Sequence, residues 1–162
     1  MNSRTLLLNA AAAALYAALT VALAPISYGP LQVRLSECMT LLAFYHPRWI
    51  PGLVVGCLLA NLDSPFGMTD IIVGTVATFI AVFAMRFCKS VFWASLCPAV
   101  ANGLIIGAEL LYLAEIPATP ESFAMTAFYI GVGEILAVTV IGIPLFRFLM
   151  KNPVLAGYFR NL

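Results

Sequence analysis

Six polar side chains stand within or at the mouth of stretches that are otherwise apolar: Arg34, Glu37, Asn61, Asn102, Glu109 and Glu134. Glu109 lies about one helical turn from the end of one apolar run, and Glu134 falls near the middle of another. An ionised side chain at that depth in a bilayer costs of order 3 kcal/mol or more. No lysine or arginine is assigned to their level. Each carboxyl must therefore be protonated, or be completed by something cationic or rich in N–H donors, either a ligand or a neighbouring helix. Asn102 and Glu109 are two helical turns apart, so both project to one face with Gly103 beside it. Gly131 and Gly133 flank Glu134 and remove side-chain bulk, which leaves room for a ring. Tyr112, Phe128 and Tyr129 are either stacking partners for that ring or members of an interfacial aromatic belt.

Glu37 has a second possible partner, because Arg34 lies three residues earlier on the same expected helix. An Arg34–Glu37 salt bridge and a ligand contact are compatible readings. Asp63 and Asp70 read as turn and cap residues, and Glu121 as the acid of a helix start. Other chemistry is thinly represented. There is no G-x-x-x-x-G-K-[ST], so the chain lacks the usual means of hydrolysing ATP. His46 is the single histidine and has no plausible serine or metal partner in its neighbourhood. The four cysteines, Cys38, Cys57, Cys88 and Cys97, form no C-x-x-C pair or metal-ligand spacing, and read as soft packing residues. No resident cofactor or metal is expected. A formal charge of +1 with scattered basic residues leaves no footprint for nucleic acid.

The elements that hold these groups follow from composition. The chain is 63% hydrophobic and 9% charged, against about 25% charged in an ordinary soluble domain. Such a chain is an integral membrane protein. Its 162 residues form a single domain over residues 1–162 and accommodate roughly six helices as an all-α membrane bundle. The expected helices cover residues 5–24, 34–46, 50–62, 70–88, 90–113 and 121–150, the second and third being short for a span. Pro25 stops the first, Pro47 and Pro51 bracket the turn between the second and third, and Pro98 bends the fifth. Thr119-Pro120-Glu121 is a cap, proline and acid that open the sixth. Residues 25–33 and 63–69, rich in proline, glycine and aspartate, are connections. Residues 31–61 carry Arg34, Glu37 and Asn61 and organise the rest.

Two glycine pairs, Gly52/Gly56 and Gly103/Gly107, have the G-x-x-x-G spacing of close helix packing. Ala10, Ala14 and Ala18 recur every four residues on the first helix, with Ala13 and Ala17 alongside. That strip serves packing within the bundle or docking of a partner protein. With six spans and a cytoplasmic N-terminus, Arg4, Arg48, Arg86, Lys89, Arg147, Lys151 and Arg160 fall on the inner side and Arg34 alone outside. Both termini are then cytoplasmic, and Asp63, Asp70, Glu115 and Glu121 make the outer face acidic.

The block QVRLSE, the following PGLVVGCLLANL and the alanine-rich first helix resemble the QueT family, substrate-binding S components of energy-coupling factor (ECF) transporters associated with queuosine precursors. The likeness covers most of the chain. It implies a six-helix plasma-membrane subunit that captures a ligand outside and delivers it inward within a complex. The implied partners are a transmembrane T component and two cytosolic ATPases, with the alanine strip as docking face. The implied ligand is a 7-deazaguanine such as preQ1, whose ring edge offers N–H donors to one carboxylate and whose ammonium needs a second. Glu134 and Glu109 then take its two ends, Asn102 or Asn61 its ring carbonyl, and Glu37 closes the rim. An S component for another vitamin, a membrane-embedded enzyme and a ligand-free accessory protein are the alternatives.

Overall fold

The computed structural model describes residues 2–29, 32–113 and 117–160. Pro30 and Leu31 of the first expected connection, and Glu115 of the expected acidic face, lie outside the described residues. The described chain is all-α, without a strand. Four helices are long and apolar enough to cross a membrane: α1 (Ser3–Ala22), α4 (Met68–Phe87), α5 (Val91–Leu113) and α6 (Pro120–Leu149). Between the first two lie a shorter apolar helix, α2 (Leu35–Tyr45), and α3 (Ile50–Asn61). The expected six apolar helices are present, but two fall short of span length.

α2 shows why a short helix is tolerated. Every residue in 36–43 is buried, so α2 is an internal strut wrapped by its neighbours rather than a lipid-facing span. It begins as a tight 3-10 helix over Leu35–Thr40, and Thr40 Oγ1 donates to the Glu37 carbonyl at 2.5 Å. Around it, α1 packs on α3, α3 on α4, α4 on α5 and α5 on α6, while α1 and α6 both close on α2.

Small residues set the spacing. A methyl group on Gly52 would stand 2.6 Å from the Asn9 carbonyl oxygen, and one on Gly56 would stand 2.8 Å from Tyr16 Cβ. α1 and α3 are therefore in backbone contact, and Asn9 ties them by accepting from the Gly52 N–H at 2.7 Å. Gly103 and Gly107 let α5 approach Ala127 of α6 in the same way. Both glycine pairs serve helix packing. Gly131 also faces the α5 backbone, at Ala99, so its smallness belongs to that contact.

Helix ends follow the local chemistry. Thr119 caps α6 by accepting from the Ser122 N–H at 3.2 Å, and Pro120 fills the first turn. α4 departs from expectation: it starts at Met68 behind Gly67, whose φ of +68° favours glycine, and Asp70 lies inside the first turn. Its side chain does not cap the helix but turns toward Arg34. Beyond Glu134, α6 widens into a π-helical stretch, Ile135–Gly142, where the Ile143 N–H reaches the Val138 carbonyl five residues back. The stretch ends just before Pro144, which has no N–H to donate.

A short helix, Ala24–Ser27, with Pro25 in its first turn, forms within the stretch read as a connection, and beyond α6 lies a further helix not expected from the sequence, α7 (Pro153–Arg160). It anchors on the basic end of the bundle: Trp49 Nε1 donates to the Phe159 carbonyl at 3.2 Å, and Arg4 lies 4.9 Å over the Tyr158 ring. At the same end Asn9 donates to the Arg48 carbonyl, and the Tyr45 and Phe146 rings stack.

Candidate substrate site

The polar residues singled out by the sequence converge in the half of the bundle away from that basic end. Arg34, from the extended segment leading into α2, is 5% exposed and meets Asp70 of α4, Nη2 to Oδ2 at 3.5 Å. The expected Arg34–Glu37 salt bridge is not formed. The segment entering α2 sends the guanidinium toward α4, while Glu37, on α2 itself, turns toward α1. There Glu37 Oε1 accepts a hydrogen bond from the Tyr16 hydroxyl and a longer one, 3.5 Å, from Thr78 Oγ1. Asp70, read from the sequence as a cap, is thus a buried anion; Ser64 Oγ also donates to it at 2.5 Å. The Tyr28 ring covers Arg34, with 5.3 Å between guanidinium carbon and centroid.

Asn61, at the end of α3, donates to the Asp70 carbonyl at 3.1 Å and to Cys57 Sγ at 3.5 Å. Gly74 makes room for that amide, since a methyl group there would stand 2.6 Å from Asn61 Nδ2. Thr78 links the layers: its hydroxyl approaches Cys57 Sγ at 3.2 Å as well as Glu37. Across the bundle, Asn102 of α5 donates to Glu134 Oε1 of α6 at 2.6 Å. Arg34, Thr78, Asn102 and Glu134 then share one cavity, walled by Gln32, Gly74 and Ile106. The cavity measures about 10 Å³, so the site is closed to anything larger than water.

Satisfaction is incomplete in a patterned way. Arg34 Nε, Glu37 Oε2, Asn61 Oδ1, Asn102 Oδ1, Glu134 Oε2 and both Glu109 oxygens are buried without a hydrogen-bond partner. Among the described residues, the remaining atoms of this kind are hydroxyls of Ser27 and Thr75. Every one of the six residues expected at the site therefore carries unused hydrogen-bonding capacity in a low-dielectric interior, where each such group costs about 1–3 kcal/mol. Glu109 stands apart. It does not line the cavity, and the charged groups acting on it are Asp70 and Arg34.

Other expectations fare differently. Tyr112, Phe128 and Tyr129 are exposed on the bundle surface and do not stack at the site. Ala10, Ala14 and Ala18 form the exposed face of α1, whereas Ala13 is buried against α3. Tyr16, Thr78 and Gln32 were missed. Tyr16 could have been noticed as the one aromatic polar group inside the alanine-rich run; nothing in the sequence marks Thr78. Cys88 and Cys97 lie with sulfurs 3.6 Å apart as free thiols. Among the described residues no metal-binding cluster occurs. A larger hollow of about 510 Å³ opens between α4 and α5 against Ile80, Trp93 and Val100, but its walls offer nothing to orient a polar ligand.

Fold and site together define a multi-pass α-helical membrane protein with an internal, hydrogen-bonding site held away from lipid. The chain belongs to the QueT transporter family, whose profile matches residues 6–151. It is 38% identical over 88 residues to a protein named queuosine precursor transporter QueT from Lactococcus lactis subsp. cremoris (strain MG1363), covering 50% of this chain and 52% of that relative. The similarity thus spans about half the length of the relative it matches. No solved structure matches the chain.

Proposed function

We propose that this chain is the substrate-binding S component of an ECF-type importer and captures a queuosine precursor, a 7-deazaguanine such as preQ1. The observation that carries the reading is the set of buried, unpartnered polar atoms on Arg34, Glu37, Asn61, Asn102, Glu109 and Glu134 in a member of a transporter family. A purine-like ring with N–H donors and a carbonyl acceptor on one edge and an ammonium on its arm supplies the groups those atoms lack. The closed cavity implies that admission requires movement, and the connections over 25–33 and 63–69, which carry Tyr28, Gln32 and Ser64, are the lids. Energy comes from partners, a transmembrane T component and two cytosolic ATPases, with Ala10, Ala14 and Ala18 as the docking strip. The protein resides in the cell membrane with both termini in the cytoplasm.

The reading is tested by releasing small molecules from protein purified out of precursor-fed cells and identifying them by mass spectrometry. A copurified deazaguanine is expected. Absence of any such compound, together with no calorimetric binding of preQ1, overturns the proposal. Glu134→Gln should weaken preQ1 binding more than about tenfold, roughly 1.4 kcal/mol, while the protein stays folded. An unchanged dissociation constant in a folded variant removes Glu134 from the site.

A further inference from the structure

The proposed function leaves open which carboxylate serves which end of the ligand. The unpartnered atoms separate the two. Among the described residues, the fully buried side-chain atoms without a partner around the closed cavity are one donor, Arg34 Nε, and two acceptors, Asn102 Oδ1 and Glu134 Oε2. With Glu134 ionised the amide orientation of Asn102 follows: its Nδ2 donates to Glu134 Oε1 at 2.6 Å, and the flipped amide would set two oxygens against each other. The Asn102–Glu134 pair is therefore held as a unit with its remaining acceptors free. Arg34 is held too, by Asp70 on one side and the Tyr28 ring on another.

We infer that Arg34, Asn102 and Glu134 read the 2-amino-6-oxo edge of the ring, and that Glu109 reads the substituent at the ligand's opposite end. The inference rests on the deazaguanine reading above. A 2-amino-6-oxo edge presents a carbonyl acceptor, a ring N–H and an amino group, the complement of one donor and two acceptors. An adenine-type edge reverses the match, placing an amino donor against a guanidinium and an unprotonated ring nitrogen against an acceptor. Glu109 has no donor from the protein on either oxygen and sits outside the cavity wall. It lies seven residues from Asn102 along α5, about 10 Å of helix, a separation on the scale of a fused bicyclic ring with a one-carbon arm. An ammonium on that arm supplies the donors that both oxygens lack.

The test measures affinities of the purified full-length protein in nanodiscs for 7-deazaguanine, 7-deazahypoxanthine, 7-aminomethyl-7-deazaguanine and 7-cyano-7-deazaguanine. The wild type should bind 7-deazahypoxanthine at least about tenfold more weakly than 7-deazaguanine, because deleting the 2-amino group strands an acceptor. Glu109→Gln should cost the cationic aminomethyl compound at least about tenfold more than it costs the neutral cyano compound. Equal wild-type affinity for the two unsubstituted rings overturns the edge assignment, and this comparison needs no variant to fold. An equal cost of Glu109→Gln for the cationic and neutral ligands overturns the Glu109 assignment. Failure of the wild type to bind any of the four compounds is a different result: it overturns the proposed function itself.

Discussion

Asp70 and Asp63 bracket the same turn and look alike in the sequence, yet their surroundings differ completely. Asp63 is exposed, whereas Asp70 is 1% exposed and is the anion that Arg34 and Ser64 share. Converting Asp70 to asparagine leaves a buried guanidinium facing a neutral amide, and breaking a buried pair from one side typically costs about 3–5 kcal/mol. Asp70→Asn should therefore lower thermal stability by about 3 kcal/mol, while Asp63→Asn stays within about 0.5 kcal/mol of the wild type. Parallel unfolding curves of the two variants check this, and equal midpoints would show that the Arg34–Asp70 contact contributes nothing. Cost and use are linked at this site. Asp70 meets the Arg34 guanidinium at Nη2 inside the bundle, and Nε is left for another partner.

At the scale of elements, α1 has two faces with separate duties. Thr5, Asn9, Ala12, Ala13, Tyr16 and Thr20 turn inward, where Gly52 and Gly56 of α3 meet Asn9, Ala13 and Tyr16 at backbone distance. Ala10, Ala14 and Ala18 turn outward as a low ridge. Ala14→Trp should preserve ligand binding by the isolated protein and abolish cellular uptake, because a bulky ring prevents close approach of a partner helix. Uptake at the wild-type rate would remove the docking role. The helices themselves were legible in the sequence: hydropathy located all six apolar segments, and Pro47, Pro51, Thr119 and Pro120 marked their ends. The pairings were not. Whether Arg34 meets Glu37 or Asp70 depends on how the segment before α2 enters the bundle and which way α4 is rotated. Spacing along one helix contains neither quantity. α7 is not read from span-length hydropathy because its eight residues, opening on Pro153, are far too short to cross a membrane, and its place comes from tertiary contacts of Phe159 and Tyr158.

For the whole molecule, charge is segregated along the bundle. Arg4, Arg48 and Arg160 gather with α7 at one end, and Asp70, Asn61 and Arg34 lie toward the other. The proposed topology, with the basic end inside by the positive-inside rule, sets the site nearer the outside. Single cysteines at Ser90 and Asn152, in a background lacking the native thiols, should react with an impermeant maleimide only after the cells are opened. Cysteines at Pro65 and Thr119 should react on intact cells; the reverse pattern would invert the topology. The buried position of α2 has a consequence for biogenesis. This innermost strut emerges second from the ribosome, but its cover includes Ile135–Gly142, which emerges nearly last. Until α6 is complete, α2 must wait beside lipid with part of its surface uncovered, so nascent chains arrested before residue 135 should be degraded far faster than the finished product in a pulse-chase experiment.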